Sequence, residues 1–496
     1  MERIICKVYP SMKDSNFTFP ELTYGVVDNS KIAFCLSGGG CRSMCVGIGI
    51  LRSLLARNKD FLEKISYLSG VSGGGWLFSI LSFANVPIHE LLGNNIPLEE
   101  LSENSVNNVN FECRNNFIGQ EIVSFSIMDR LSDAMNCGTR RSKCFQYALA
   151  KNFLDKYGIS CKTIVLNSNA VELNKKYNKL ECICPRENFP YLILSCVLID
   201  SESIHEGTFP YEMTPMYSGC RVVRPRYGGF YLQNQGIGCY KTPIKIGELN
   251  NLRNDTYGGN ACVESFMANT GAAYTEIAIM SNTLLGGFLE TLAPKMNVWS
   301  EETQHSHLYD VADGAYIDNC GILSPLARSC PKIFCVISTE GVLKSSGNLC
   351  IANLFGIKIE DSYGTSKYKK NTHVFETNEW NSIYLELESK ARNKTFTYFR
   401  RNLNVLRNEK IGINGNYNVD LLVVYVDRVE EFDKLLPESF DQENNLLGNY
   451  PNYPIMFSSP GDFLNMSRSH VNITCTYSSW YMDKLLELDD VSSFFV

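Results

Sequence analysis

Two glycine-rich turns, each placed between an apolar strand and an apolar helix, constrain the fold of this chain most. The first turn, residues 37–42 (SGGGCR), follows the apolar run 31–36. The second, residues 70–75 (GVSGGG), closes the apolar run 65–70 and precedes the apolar segment 76–84. Two consecutive strands joined by a helix predict a parallel pair, and a parallel pair predicts an α/β sheet.

The segment between the two turns has helical periodicity. Met44, Ile48, Leu51 and Leu55 recur at a spacing that places them on one helical face. Ligand sites in parallel sheets lie beyond the carboxyl ends of the strands, where both turns fall. The turns are therefore predicted to face each other.

The second turn presents one hydroxyl, that of Ser72, among glycines. A tight strand-to-helix turn holds a serine in a strained, exposed pose, as in a nucleophile elbow. The same short string also fits a plain structural turn. In the first turn, the backbone N–H groups of Gly39 and Gly40, with Gly38 shaping the loop, suit an oxyanion hole; a phosphate site is the alternative, although no P-loop lysine follows.

Composition limits the class of protein. The chain has 496 residues, 44% of them hydrophobic and 20% charged, which is an ordinary globular balance. Its net charge of −7 argues against a nucleic-acid partner. The 19 cysteines are scattered, and the N-terminus has no apolar signal core, so we expect reduced thiols and a cytoplasmic protein.

Two short clusters invite a metal interpretation. They are the pair Cys182 and Cys184 and the pair His305 and His307. Neither has a second pair of ligands at zinc-finger spacing, so we expect no metal and no cofactor.

The two turns together resemble a known family. SGGGCR followed by GVSGGGW, in this order and at this separation, is similar to the cytosolic phospholipase A2 and phospholipase B (lysophospholipase) family, related to the patatins. The resemblance implies an α/β catalytic domain with a central, mostly parallel sheet flanked by helices and with lid or surface insertions. It also implies hydrolysis of phospholipid or lysophospholipid acyl esters by a Ser–Asp dyad without histidine, and peripheral contact with membranes.

The resemblance predicts an aspartate far downstream, and Asp313 fits. Residues 313–326 (DGAYIDNCGILSPL) are similar to the family's D-G-G-x-x-x-N-x-P-L pattern, with Ala315 at the second glycine. Asp318 is the rival carboxylate, although no glycine follows it. Arg42 matches the family's arginine, which implies that it orients the loop or binds a lipid phosphate; a salt bridge at a helix start is the plain alternative.

Two other function classes stay open. A Ser–His–Asp hydrolase would need His373 or His470 to reach Ser72. A non-catalytic lipid-binding protein of the same fold would need neither histidine nor dyad.

We expect residues 1–29 to be a lead-in and 30–496 to be one catalytic domain, with insertions near 94–143 and 344–407. The lead-in is too short for the calcium-binding domain of some family members, so no calcium is implied. The basic cluster at 367–370 is a candidate for membrane contact. Further strands are predicted at 190–200, 332–339, 420–427 and 474–477, and residues 269–274 resemble a helix start rich in small residues.

Overall fold

The computed structural model describes most of the chain. The described residues are 4–5, 8–10, 17–112, 115–166, 171, 181–199, 208–224, 227–234, 248–249, 261–275, 291–300, 305–339, 341–343, 351–357, 372–437, 440, 450–453 and 466–496.

A twelve-stranded sheet organises the fold. Its strands in chain order are β1 (Val8–Pro10), β2 (Ile32–Leu36), β3 (Ile65–Gly70), β4 (Tyr191–Ile199), β5 (Thr208–Met213), β6 (Tyr217–Arg224), β7 (Tyr227–Gln233), β8 (Lys295–Ser300), β9 (His305–Asp313), β10 (Lys332–Ile337), β11 (Thr397–Val405) and β12 (Tyr417–Tyr425). Two small pairs stand apart from it: Ile4–Ile5 with Glu248–Leu249, and Thr163–Ile164 with Cys182–Ile183.

The centre of the sheet is parallel. Strands β12, β10, β2, β3 and β4 lie side by side in this order, and each adjacent pair is parallel. Antiparallel strands extend the sheet on both sides, with β11 next to β12 and the run β5, β6, β7, β1 beyond β4. Every residue of β2 and β3 is buried, as expected of strands covered on both faces. The α/β fold with a parallel central sheet is confirmed.

The edge of β4 that faces β3 is shared by two strands. Strand β3 pairs with the first half of β4 and ends where Gly70 lies opposite Leu194. Antiparallel β9 pairs with the second half and ends where Asp313 lies opposite Cys196. Strand β5 occupies the other edge. The carboxyl ends of β3 and β9 therefore converge beside Ser195.

Helices cover the sheet. Five of them are labelled here: α1 (Gly40–Arg57), α2 (Gly73–Phe83), α3 (Val263–Thr270), α4 (Thr377–Arg392) and α5 (Arg468–Leu485). The other α-helices have ten residues or fewer and are Pro20–Thr23, Ile88–Leu92, Glu103–Asn108, Ile118–Val123, Ile127–Asn136, Cys144–Leu149, Ala315–Asp318, Leu323–Ala327, Glu430–Asp433 and Asp489–Ser492. None of the helices in the described residues combines the length and apolar character needed to cross a membrane.

The strand predicted at 474–477 is wrong, because α5 runs through these residues without a break. Its first turn is capped by Ser467, whose hydroxyl accepts the His470 N–H at 3.2 Å. The Tyr477 and Tyr481 hydroxyls, one turn apart, donate to the Asp427 and Tyr425 carbonyls at the end of β12. These contacts with the sheet override the strand preference of the threonines.

The asparagine-rich segment 94–143 is folded. It contains three of the short α-helices, and its Phe117, Ile118 and Phe125 side chains are fully buried in the core. Of the second expected insertion, 344–407, the described part holds α4 and β11. The basic cluster 367–370 lies outside the described residues. The division into a lead-in and one domain stays a prediction.

Candidate active site

Ser72 stands between β3 and α2 in an unusual backbone conformation. Its φ is +50° and its ψ is −126°, in a region that non-glycine residues rarely adopt. Such strain persists only where the surroundings impose it, and it is common at reactive residues. The side chain is 8% exposed. The strained backbone of the predicted elbow is therefore present at Ser72, whereas the predicted exposure is wrong because the residue is buried.

The two glycine turns touch, as the sequence predicts. A Cβ on Gly73 would lie 2.0 Å from the Gly40 carbonyl oxygen, and a Cβ on Gly38 would lie 3.2 Å from the Ser72 Cβ. Side chains at these positions would force the turns apart. The loop 38–40 therefore runs directly alongside Ser72 and Gly73.

The three glycines of the first turn use their N–H groups differently. The Gly38 N–H donates to the Asn319 carbonyl at 3.0 Å. The Gly39 and Gly40 N–H groups have no acceptor in the described part of the chain. Both residues have positive φ, 146° and 54°, which favours glycine. They also stand at the amino end of α1, where backbone donors and the helix dipole favour an anion.

Asp313 ends β9 and is 2% exposed. Its carboxylate accepts the Ala315 N–H at 2.8 Å, and the Ser72 hydroxyl lies close enough to lower its pKa. Burial raises the pKa of the Asp313 carboxyl to about 7, although the Ala315 N–H and the Ser72 hydroxyl oppose the increase. The structure thus joins Ser72 to a carboxylate whose pKa suits proton transfer near neutral pH.

Asp318, the other candidate carboxylate, stabilises a turn of the backbone. Asp318 accepts the N–H groups of Cys320, Gly321 and Leu323 at 3.2, 3.0 and 2.7 Å. These bonds hold the turn that follows Asp313. The Ser72 hydroxyl lowers the pKa of Asp313 and is not among the groups that act on Asp318.

The two candidate histidines have other contacts. The His373 Nε2 lies 2.7 Å from the Phe375 carbonyl, and its ring packs on Gly356. His470 lies in the first turn of α5, with its ring 4.5 Å from that of Tyr453. Burial lowers the pKa of His470. Neither ring belongs to the hydrogen bonds found around Ser72 and Asp313.

Arg42 is buried in the first turn of α1, with 3% of its surface exposed. Its guanidinium donates to the Tyr453 carbonyl at 2.5 Å and to the Ser338 carbonyl at 2.8 Å. These bonds fix α1 to the end of β10 next to Gly39, which fits the loop-orienting alternative. Its role in substrate binding stays a prediction.

Thr270 also borders the site, although no motif in the sequence marks it as a site residue. Residues 269–274 are predicted to begin a helix; in the structure α3 ends at Thr270, and residues 274 and 275 are helical again. The Ser72 N–H donates to both the Thr270 carbonyl, at 3.2 Å, and its hydroxyl, at 3.1 Å. A threonine followed by a glycine was the one visible sign of a helix end. Nothing in the sequence pairs residue 270 with residue 72.

Comparison with known proteins shows which family part of the chain is similar to. Residues 32–231 match the lysophospholipase catalytic domain. Over these residues, which are about two fifths of the chain, the sequence is similar to that family. Lysophospholipase 3 of Saccharomyces cerevisiae is 38% identical over 73 residues, which are 13% of this chain and 11% of that protein. "Probable lysophospholipase 3" of Schizosaccharomyces pombe is 22% identical over 295 residues, which are 57% of this chain and 38% of that protein.

A solved structure is also similar. Human GIVD cytosolic phospholipase A2 superimposes with a TM-score of 0.47 and 12% identity, over 94% of this chain and 63% of that chain. The chain covers less than two thirds of the length of each of these three proteins.

The segment that matches the lysophospholipase family contains both glycine turns and Ser72, whereas Asp313 lies beyond it. The contact between Asp313 and Ser72 is therefore an observation independent of that match. No group of three or more His, Cys, Asp or Glu side chains in the described ranges is arranged to hold a metal ion.

The contact between the turns gives a first prediction. Replacing Gly73 by alanine places a methyl group against the Gly40 carbonyl, so the elbow and the glycine loop must separate. We expect a loss of stability of about 1–3 kcal/mol and, since a 1 Å displacement is enough, a loss of kcat of about 10²-fold. Urea unfolding and ester hydrolysis measure the two effects.

Gly138→Ala is the matched control. Gly138 has nothing within 4 Å of an added Cβ, although its φ is +73°. Its substitution should cost about 1 kcal/mol of stability and leave kcat unchanged. Equal kcat losses in both variants would contradict the close approach of the two turns.

Proposed function

We propose that this protein is a lipid acyl hydrolase that cleaves fatty-acyl esters of phospholipids or lysophospholipids. The observation that carries the proposal is the convergence of β3 and β9, which brings the elbow residue Ser72 next to the buried Asp313 carboxylate, beside the Gly39 and Gly40 N–H groups. The lysophospholipase family match of residues 32–231 supports the substrate class.

The proposed reaction has two stages. The Ser72 Oγ attacks the ester carbonyl carbon while its proton passes to the Asp313 carboxylate, and the Gly39 and Gly40 N–H groups stabilise the oxyanion. Collapse breaks the acyl–oxygen bond, and the leaving alcohol takes the proton from Asp313. A water molecule then attacks the acyl-enzyme, passing its proton to Asp313 and from there to Ser72, which releases the fatty acid.

Fatty-acid release tests the function. The full chain is incubated with lysophosphatidylcholine, with phosphatidylcholine vesicles and with buffer alone. We expect release from at least one lipid and none from the Ser72→Ala variant. If the full chain binds vesicles but releases no fatty acid from either lipid, it is a lipid-binding protein and the proposal is wrong. If His373→Ala or His470→Ala abolishes release while Asp313→Asn does not, the protein is a triad hydrolase.

The pH dependence follows from Asp313. The carboxyl accepts a proton only when ionised, and its pKa is raised to about 7 by burial. We therefore expect kcat/KM to rise with pH and reach half its maximum near that pKa, falling about tenfold per pH unit below pH 6. The measurement is kcat/KM on a soluble lysophospholipid from pH 5 to 9.

Asp427 supplies the control for this profile. It is another buried carboxyl, with a pKa raised by burial to about 6, and its carboxylate accepts the Val342 N–H. The Asp427→Asn variant should keep the rising limb near pH 7. If the rise of kcat/KM near pH 7 disappears in this variant, the group that titrates there is Asp427 and not Asp313.

We propose that the protein works in the cytoplasm and contacts membranes peripherally. Several thiols, including those of Cys35, Cys335 and Cys475, pack in the core as small apolar groups, which suits a reducing compartment. Fractionation of cells expressing the chain, followed by a vesicle co-sedimentation assay, tests both statements. Recovery of the protein in a secreted fraction would contradict the cytoplasmic location. Failure to sediment with vesicles would contradict the peripheral membrane contact.

A further inference from the structure

Thr270 connects the segments that carry the two reacting residues. Its hydroxyl accepts the Ser72 N–H at 3.1 Å and donates to the Ser195 carbonyl at 2.6 Å. Its own carbonyl accepts the Ser72 N–H at 3.2 Å and the Gly314 N–H at 3.3 Å. One residue at the end of α3 thus bonds to the elbow, to the turn after Asp313 and to β4 between them.

The position of Ser195 explains why this connection matters. Ser195 lies on β4 between Leu194, where β3 ends, and Cys196, where β9 ends. Beyond this point β3 and β9 have no pairing with each other. The Thr270 hydroxyl supplies a fixed link from the Ser72 backbone to β4, and the Thr270 carbonyl supplies one to the Asp313 turn.

We propose that Thr270 is a positioning residue that sets the distance between the Ser72 hydroxyl and the Asp313 carboxylate. This inference rests on the proposed hydrolase function. Removing the hydroxyl leaves the Ser195 carbonyl without its donor and leaves the strained Ser72 backbone with a single acceptor. Ser72 then shifts relative to Asp313, and proton transfer slows.

Two substitutions separate the hydroxyl from the packing of the side chain. The Thr270 Cγ2 methyl packs on the elbow, 3.1 Å from where a Cβ on Gly75 would lie. Thr270→Val keeps this methyl group and loses the hydroxyl, whereas Thr270→Ser keeps the hydroxyl and loses the methyl group. Thr275→Val is the control, because Thr275 is fully buried and its hydroxyl has no partner in the described part of the chain.

The experiment measures kcat and KM of the full-length variants on one soluble lysophospholipid. We expect Thr270→Val to lower kcat by about 10²-fold with KM within about threefold of the original. Thr270→Ser should restore kcat to within about threefold, and Thr275→Val should match the original protein.

The outcomes are distinguishable. If Thr270→Val keeps its kcat, or if Thr270→Ser is equally impaired, the hydroxyl does not position the dyad and the inference is overturned. If the unsubstituted protein hydrolyses no acyl ester, the proposed function itself fails. Thermal unfolding of each variant checks that the kcat values belong to folded protein.

Discussion

Replacing Ser72 by alanine lowers kcat/KM for acyl-ester hydrolysis by at least about 10⁴-fold, because the attacking oxygen is lost while the fold stays intact. The Gly39 and Gly40 donors remain in this variant, so a small residual rate is expected. Fatty-acid release with the purified variant at high concentration measures it. Activity close to that of the original protein would place the nucleophile elsewhere.

The variant Ser72→Gly tests whether the backbone at residue 72 is strained, independently of the loss of the hydroxyl. This variant is equally inactive, but glycine adopts a φ of +50° without steric cost. We expect it to be more stable than Ser72→Ala by about 1 kcal/mol, measured by urea unfolding. Equal stability of the two variants would mean that the backbone at residue 72 holds no strain.

The substitution Asp313→Asn should also cause a large loss of activity. An amide cannot accept the Ser72 proton, so we expect kcat to fall by about 10³–10⁵-fold. The same substitution should stabilise the fold at high pH. Burial raises the pKa of Asp313 in the folded protein to about 7, from an ordinary value of 3.8.

Proton binding explains why the stability of the original protein falls as pH rises. Between these two pKa values the folded state keeps a proton that the unfolded state has lost, so the original protein loses stability as pH rises. The loss is absent below pH 4 and complete above pH 7, where it is on the order of 4 kcal/mol. The stability of Asp313→Asn relative to the original protein should therefore increase between pH 5 and pH 8.

Urea unfolding of both proteins across this pH range measures the difference, and Asp427→Asn is again the control. Burial raises the pKa of Asp427 to about 6. The difference in free energy of unfolding between Asp427→Asn and the original protein should therefore stop growing about one pH unit lower than for Asp313→Asn. If the free energy of unfolding of Asp313→Asn differs from that of the original protein by the same amount at every pH, the Asp313 carboxyl is ionised throughout this range and burial does not raise its pKa.

Local sequence determined the parts of the site. The runs 31–36 and 65–70 are apolar and short, and glycines follow each of them, so strands, turns and helices were predictable where the structure has them. The contact between the turns was also predictable, because consecutive parallel strands carry their carboxyl ends to one edge. Asp313 was found through its resemblance to a family pattern.

Tertiary structure alone decided how the parts meet. Ser72 and Asp313 adjoin because β3 and antiparallel β9 share one edge of β4, and pairing between distant strands depends on register and packing that no local pattern encodes. For the same reason the sequence left Asp318 as a rival, until its bonds to three backbone N–H groups were seen. Burial likewise raises the pKa of Asp313, and burial is a property of the assembled fold.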